Sequence, residues 1–256
     1  MTTNRNQTVF LLGGYDLEMI TIKQMLEGRE DCVVIDKYLR WDNAKLSKYQ
    51  QELKSLPEHT IYGIELQEDI VPPTNYHRID HHNDWDSKPS VLEQVAQILD
   101  VELNRYQKLV AANDKGYISA MQQLSATEEE IADIRKRDRA AQGVTEQEEK
   151  LAELSLAQHL CKYGGLFVVK SQTSRFSPIC DRLFPYQRLL IYTDSEWMYY
   201  GAGKAELVKH FADDITQRKV FYGGGDSGYI GSVRCASSKA EIEKIVEQII
   251  KEYGNI

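Results

Sequence analysis

A triplet of potential metal ligands, Asp80-His81-His82, directly follows a short apolar segment of this sequence. A neutral imidazole nitrogen and a carboxylate oxygen are both good ligands for hard or borderline divalent cations. By itself the triplet is weak support for a metal site, because histidines at strand ends more often form surface or hydrogen-bonding groups. Its meaning depends on which other acidic residues the fold brings to the same place.

Four further acidic residues stand at comparable points of the predicted elements. Two follow the first predicted strand, one ends the third, and one comes after a predicted helix; they are Asp16, Glu18, Glu65 and Asp114. The carboxyl ends of parallel strands meet at one edge of a sheet, where ligands bind. Packing several carboxylates there is costly unless a cation neutralises them. We therefore expect a divalent-metal site at this edge.

The elements that must position these residues follow from the hydrophobic pattern. Short apolar runs at 8–12, 32–35, 60–64 and 76–79 predict strands, and helical spacing at 19–26, 46–56 and 90–106 predicts helices. Strands that alternate with helices are typical of an α/β domain with a largely parallel sheet. We assign this domain to residues 1–124.

A helical segment follows, and then a second region rich in strands. Capping-box patterns at Thr127/Glu130 and Thr145/Glu148 predict two helices separated near Gly143, so that 125–164 is interpreted as a helical connector. Residues 165–256 carry a predicted hairpin turning at 194–196, a glycine cluster at 223–228 and a closing helix at 238–253. They predict a second, smaller α/β domain.

With these residues in place, the sequence resembles the DHH phosphoesterase superfamily, in the branch with a C-terminal DHHA1 domain. That branch includes RecJ-like nucleases, oligoribonucleases and cyclic-dinucleotide phosphodiesterases. The DHH triplet is present as Asp80-His81-His82, and the Gly-Gly-Gly-His motif of the DHHA1 domain corresponds to Gly223-Gly224-Gly225-Asp226. The resemblance covers nearly the whole chain and implies a parallel-sheet DHH domain, a helical connector and a smaller DHHA1-like domain.

The resemblance also implies a role for each candidate residue. The metal ligands would be Asp16, Glu18, Glu65, Asp80, His81 and Asp114, holding one or two Mn²⁺ or Mg²⁺ ions. His82, together with Asp80, would be catalytic, with the imidazole facing the scissile phosphate as electrostatic stabiliser or proton donor. The substrate-binding residues would be Gly223, Gly224, Gly225, Asp226, Arg175 and Lys204, although the two cations are equally well explained as ordinary surface residues.

The sequence departs from the family pattern at four positions. Leu12 stands where the family has a histidine, and Glu18 and Glu65 stand where it has aspartates. Asp226 stands in place of the histidine that ends the glycine motif. Two hypotheses therefore stay open. One is a metal-dependent phosphohydrolase acting on a small nucleotide or short oligonucleotide; the other is a degenerate, non-catalytic relative that binds a phosphorylated ligand or a protein partner.

Composition narrows the remaining functional classes. The 256 residues carry 31 Lys and Arg against 39 Asp and Glu, a formal charge of −8, which disfavours coating of long duplex DNA. No apolar run reaches the length of a membrane-spanning helix, and the start has no secretory pattern. We expect a cytoplasmic protein with no membrane partner. A homodimer formed through the segment 125–160 is left open.

Overall fold

The computed structural model describes residues 7–224 and 228–254, and at Asn83 it describes the backbone only. The chain divides into two compact units, Met1–Gly143 and Val144–Ile256. Among the described residues, no helix combines the length and the apolar character that a membrane crossing would require.

The first unit is built on a four-stranded parallel sheet with the strand order β2-β1-β3-β4. Its strands are β1 (Thr8–Leu11), β2 (Cys32–Ile35), β3 (Ile61–Ile64) and β4 (Tyr76–Ile79). Val9 of β1 is in register with Val33 on one side and Ile61 on the other. All four strands run in one direction, so their carboxyl ends lie along one edge. The predicted parallel sheet is thereby confirmed.

Helices surround this sheet and carry part of the candidate site. They are α1 (Leu17–Leu26), α2 (Gln50–Ser55), α3 (Val91–Ile98), α4 (Arg105–Gln123) and α5 (Glu128–Ala141). A core of apolar side chains, among them Leu11, Leu46 and Tyr49, packs beneath one face of the sheet. The other face receives α1, which contacts α3, α4 and α5.

The prediction of a single helix over 90–106 is wrong. The chain leaves α3 after Ile98, Asp100 takes a left-handed φ of 52°, and Asn104 starts α4 with a capping box that includes Gln107. A new cap satisfies the first amide groups of the new helix, so the break costs little. As a consequence Asp114, expected after a helix, lies inside α4.

The second unit contains a mixed six-stranded sheet with the order β5-β6-β7-β8-β10-β9. Its strands are β5 (Leu160–Tyr163), β6 (Leu166–Lys170), β7 (Arg188–Tyr192), β8 (Trp197–Gly201), β9 (Val220–Gly223) and β10 (Tyr229–Ser232). Among the strands that the structure describes here, β6 and β7 pair in parallel and the other pairs are antiparallel. The predicted hairpin between β7 and β8 is confirmed.

Helices cover both faces of this second sheet. They are α6 (Glu146–His159), α7 (Ser177–Leu183), α8 (Lys204–His210), α9 (Ala212–Thr216) and α10 (Lys239–Tyr253). One apolar core joins Trp197 to α8 and α10, and another joins Val169 to α6 and α7. Both predicted capping boxes are present, at the starts of α5 and α6. Of these two helices, α5 packs on α1 and α4 of the first unit, whereas α6 packs on β6 and α7 of the second.

Candidate metal centre

The first two acidic candidates, Asp16 and Glu18, also organise the helices that carry them. Asp16 is the N-cap of α1, and its Oδ1 accepts a hydrogen bond from the amide of Met19 at 2.8 Å. Glu18 lies in the first turn of the same helix, and its Oε1 accepts from the amide of Leu92 at 3.0 Å. Because Leu92 is in the first turn of α3, this carboxylate holds the start of α3 beside the start of α1. Both acids are buried at the carboxyl edge of the sheet.

Glu65 is held at the end of β3 in a conformation that non-glycine residues rarely adopt. Its φ is 49°, in the left-handed region. Gly13, at the end of β1, packs directly against this backbone: a Cβ there would lie 2.3 Å from the Ile64 carbonyl oxygen and 2.6 Å from that of Glu65. Gly13 therefore allows the close approach that fixes Glu65 at the sheet edge.

His81 brings three of the acids to one point. Its Nε2 lies 2.6 Å from Oδ2 of Asp114, 3.4 Å from Oε1 of Glu65 and 4.0 Å from Oε2 of Glu18. The His81 side chain is buried, as are those of Glu65 and Glu18. Four ionisable groups thus converge where the surrounding dielectric is low.

The atoms that point into this convergence have no hydrogen-bond partner in the part of the chain that the structure describes. They are Glu18 Oε2, Glu65 Oε1, His81 Nε2 and Asp114 Oδ2. The contact between Nε2 of His81 and Oδ2 of Asp114 is short, but neither atom forms a hydrogen bond of acceptable geometry there. Buried polar atoms without partners are costly and rare in folded proteins. Three carboxylate oxygens and one imidazole nitrogen are a suitable donor set for a divalent cation.

His82 lies at the rim of the same cluster. Its Nδ1 is 3.3 Å from Oε1 of Glu65 and 3.3 Å from Oδ1 of Asp80, and its side chain is 44% exposed. The ligand atoms of Glu65, His81, His82 and Asp114 all lie within 4.8 Å of one another. Since Nδ1 faces the acids, Nε2 is the ring nitrogen left for an external ligand.

Asp80 is more fully engaged than the other candidates. Its Oδ2 accepts from Arg78, at 2.5 Å from Nη2, and its Oδ1 accepts from the amide of His82 at 2.9 Å. The side-chain amide of Gln94 donates to the Asp80 carbonyl. These contacts hold the triplet in place, so that Asp80 fixes the turn while His81 and His82 face the cluster.

The electrostatics follow from burial and from this crowding of charge. Burial first, and then the charges of Glu65 and Asp114, raise the pKa values of Asp16 and Glu18 well above the usual range. Burial opposes ionisation of Asp114 and Asp80, but close cationic neighbours outweigh it: the His81 imidazole beside Asp114, and His82 and Arg78 beside Asp80. The pKa values of both aspartates are therefore lowered.

The same contacts hold protons on the two histidines. Burial lowers the pKa of His81, but Asp114 and Glu65 outweigh it and raise the value to about 9. The pKa of His82 is raised to about 10, chiefly by Asp80 and then by Glu65. Without a cation, protons bound to the two histidines therefore offset the negative charge of the cluster.

A buried polar network behind Asp114 was not predicted from the sequence. Nη1 of Arg135 donates to Oδ1 of Asn113 at 2.8 Å and to Oδ2 of Asp138 at 2.7 Å, and the guanidinium lies 4.4 Å from the ring centroid of Tyr117. Asn113 and Tyr117 flank Asp114 and a kink in α4, where Tyr117 has a φ of 58°. The network fixes this stretch from α5. Its sequence signal is faint, because Arg135 belongs to a mixed charged run.

Leu12 lies outside the set of donors. Its side chain is fully buried, and its carbonyl accepts from the Tyr49 hydroxyl at 2.6 Å. Asp36, at the end of β2, pairs with Lys23 at 2.9 Å and accepts from the Tyr38 amide. Among the described residues, the acids with an oxygen within 4.0 Å of a ring nitrogen of His81 or His82 are Glu18, Glu65, Asp80 and Asp114, whereas Asp16 is not among them.

The predicted substrate-binding residues of the second unit are only partly brought together. Lys204 starts α8, and its Nζ donates to the carbonyl of Gly223 at 3.2 Å, where β9 ends. Gly224 has a φ of 71°. Arg175 instead lies 3.6 Å from a carboxylate oxygen of Glu148. The remaining predicted members, Gly225 and Asp226, lie outside the described residues.

Comparison with solved structures identifies the fold. The chain is similar to PggH, a pGpG-specific phosphodiesterase from Vibrio cholerae, with a TM-score of 0.50 and 11% identity over 97% of this chain and 98% of that one. It is also similar to Mn²⁺-bound RecJ from Thermus thermophilus, with a TM-score of 0.47 and 11% identity over 98% of this chain and 53% of that one.

A DHH domain from a member of the s1p family of ribosomal proteins aligns with a TM-score of 0.47 and 10% identity, over 98% of this chain and 88% of that one. No protein-family profile matches the sequence, and no curated protein does. The protein therefore has the fold of the DHH phosphoesterase superfamily, as the triplet predicted. The predicted α/β class is confirmed by the strands and helices of the structure.

Proposed function

We propose that this protein is a metal-dependent phosphohydrolase of the phosphodiesterase type, acting on a small nucleotide or a short oligonucleotide. The observation that carries the proposal is the convergence of four buried, unpartnered donor atoms beside a half-exposed histidine. The fold supports it, because the chain is similar over nearly its whole length to PggH, a pGpG-specific phosphodiesterase. The negative charge of the chain favours a small substrate over long duplex DNA.

The donor set fits a divalent cation such as Mn²⁺ or Mg²⁺. Glu18, Glu65, His81 and Asp114 would hold one ion through the atoms that otherwise have no partner. A bound ion supplies Lewis-acid polarisation of a phosphoryl oxygen and eases deprotonation of water. Asp16 and Asp80 remain proposed ligands. Their oxygens already cap α1 and bind Arg78 and His82, so we infer one strongly held ion.

The residues of the chain have separable roles in this proposal. His82 presents Nε2 to the scissile phosphate, where a protonated ring stabilises negative charge or donates a proton to the leaving oxygen. Asp80 acts with it, because Oδ1 of Asp80 holds the imidazole through Nδ1 and favours the protonated form. Burial of Glu65 and His81 excludes water from the ligand side of the site.

The second unit is proposed to bind substrate phosphate. Lys204 and the backbone of Gly223 and Gly224 form one local arrangement of an ammonium group and a glycine turn, which suits an anion. Gly225, Asp226 and Arg175 stay predicted members of this site. A cytoplasmic location and a homodimer also stay predictions.

The alternative, a non-catalytic relative, is not favoured. Its motivation was the loss of the family histidines at Leu12 and Asp226 and the longer side chains of Glu18 and Glu65; Asp226 lies outside the described residues. Both glutamates nevertheless reach His81, at 4.0 and 3.4 Å. The longer side chains thus supply oxygens to the cluster in place of the shorter ones.

Hydrolysis of short substrates tests the proposal. The purified protein, freed of metal and then supplied with Mn²⁺, is assayed against pGpG, other dinucleotides and oligonucleotides of two to five residues. We expect metal-dependent release of mononucleotides, and a rate reduced by at least about 100-fold in His82→Ala, because this variant loses the group that faces the phosphate.

The matched control is His210→Ala, which changes a histidine of the second unit that contacts Gln248. It should retain the rate of the parent protein. Absence of phosphodiesterase activity at saturating Mn²⁺ on all these substrates would contradict the proposal, as would a His82→Ala variant as active as the control.

A further inference from the structure

The exposed aromatic side chains of the first unit all lie in loops that follow strands of its sheet. Within residues 7–143, they are Tyr38, Trp41 and Trp85. The first two follow β2, and Trp85 follows β4. All three therefore lie in loops at the carboxyl edge of the parallel sheet, which is the edge that carries the candidate metal ligands. Large apolar rings in water are unfavourable, so an exposed ring at this rim that has no partner of its own is a candidate binding surface.

Trp41 is the member of this group that adjoins the reacting end of the site. Its ring centroid is 5.6 Å from that of His82, in an edge-on arrangement, and the residue is 46% exposed. The indole is fixed from below by Gly14, where a Cβ would lie 2.4 Å from Cδ2 of the ring. A glycine at this position lets the ring lie directly against the backbone that follows β1.

The other two exposed rings already have cationic partners. Nζ of Lys88 lies 3.9 Å from the Trp85 ring centroid, and the Arg78 guanidinium lies 5.6 Å from it. Nζ of Lys23 lies 4.5 Å from the Tyr38 ring. In the described part of the chain no Lys or Arg lies over Trp41 in this way, so this ring keeps exposed surface for a ligand.

We propose that Trp41 is a stacking platform for the nucleobase whose phosphate faces His82. This inference rests on the proposed function and adds a residue that selects the substrate. An indole face binds any planar base, and stacking of this kind tolerates different sequences. A sugar phosphate without a base cannot use it. Trp41 is therefore expected to separate nucleotides from other phosphate esters.

Binding of two small phosphates tests the platform without requiring turnover. Calorimetry with guanosine 5′-monophosphate and ribose 5-phosphate is run on the parent protein, Trp41→Ala, Trp41→Phe and Trp85→Ala, with Mg²⁺ and again with a chelator. The parent should bind the nucleotide at least about fivefold more tightly than the sugar phosphate. Trp41→Ala should remove this difference by weakening nucleotide binding alone, and Trp41→Phe should keep most of it.

Trp85→Ala is the control, because that ring already contacts two cations; it should preserve the difference. The platform is overturned if the parent binds both probes equally or not at all, if Trp41→Ala keeps the difference, or if Trp85→Ala loses it equally. These outcomes are separate from the proposed function. If the parent protein hydrolyses dinucleotides and Trp41→Ala still prefers the nucleotide over the sugar phosphate, the platform alone is rejected. If Trp41→Ala loses this preference but the parent protein hydrolyses nothing, a nucleotide site is supported and the enzyme is rejected.

Discussion

The two candidate regions of this protein treat their charged groups in opposite ways. In the first unit, Glu18, Glu65 and Asp114 point oxygens without hydrogen-bond partners at one imidazole, and without a cation only protons on the histidines offset their buried charge. In the second unit, the Lys204 ammonium already donates to the Gly223 carbonyl, and the turn beside it consists of backbone. The first arrangement suits a divalent cation, and we propose that the second binds a substrate phosphate. Substitutions in the first region should therefore impair metal binding, and substitutions in the second should impair substrate affinity.

The largest effect should come from Asp114→Asn. The amide keeps the shape of the side chain but removes the charge and one oxygen ligand, so we expect Mn²⁺ affinity to fall by at least about 100-fold, with a matching loss of hydrolysis at limiting metal. Calorimetric titration of the metal measures it. Asp133→Asn, which alters an exposed salt bridge with Arg137 on α5, is the matched control. Equal Mn²⁺ affinity in the two variants would remove Asp114 from the ligand set.

The next effect is a dependence of metal affinity on pH. The pKa of His81 is raised to about 9, chiefly by Asp114 and Glu65 against the effect of burial, and Nε2 must lose its proton to bind a cation. Mn²⁺ affinity should rise by up to about tenfold per pH unit from pH 7 towards 9. Titrations in two buffers of different ionisation enthalpy would count the released protons. An affinity that stays constant across this range would show that His81 is not a ligand.

The stability of the metal-free protein should change in the opposite sense. Because the folded pKa values of His81 and His82 exceed the ordinary value near 6.5, their protonated forms stabilise the fold fully below that pH. This contribution is lost as the pH rises through about 9 to 10. Thermal unfolding in chelator should therefore show a falling midpoint from pH 7 to 10, and saturating Mn²⁺ should reduce the fall. A midpoint that rises over this range would contradict the assignment.

A smaller effect is expected from the second unit. Lys204→Ala should raise KM for a phosphorylated substrate about tenfold, because a charge-assisted contact to phosphate is lost, while Mn²⁺ affinity stays unchanged. Lys209→Ala, on the last turn of the same helix, is the control. A loss of metal affinity in Lys204→Ala would break the division of roles between the two regions. An unchanged KM would remove Lys204 from the proposed substrate-binding residues.

Much of the fold could be predicted because its signals are local. The four parallel strands follow from short apolar runs, and the starts of α5 and α6 follow from capping boxes whose partners are three residues apart. The hairpin between β7 and β8 follows from a polar turn. The position of His81 and His82 at the sheet edge was predictable for the same reason, since they directly follow β4.

The arrangement of the site could not be predicted in the same way because its contacts are distant in sequence. Glu18 caps a helix through Leu92, 74 residues away, and Arg135 fixes Asn113 across 22 residues. The left-handed φ of Glu65 depends on the approach of Gly13 from another strand. No local pattern encodes such pairs, so the sequence indicated which residues would meet but not which atoms would be left unpaired.

We infer that the unpartnered atoms of Glu18, Glu65, His81 and Asp114 form one divalent-cation site. Titration of the metal-free protein with Mn²⁺, followed by elemental analysis after removal of excess metal, tests it most directly. We predict one strongly bound ion per chain and its loss in Asp114→Asn. Retention of no metal, or binding that Asp114→Asn leaves unchanged, would contradict it.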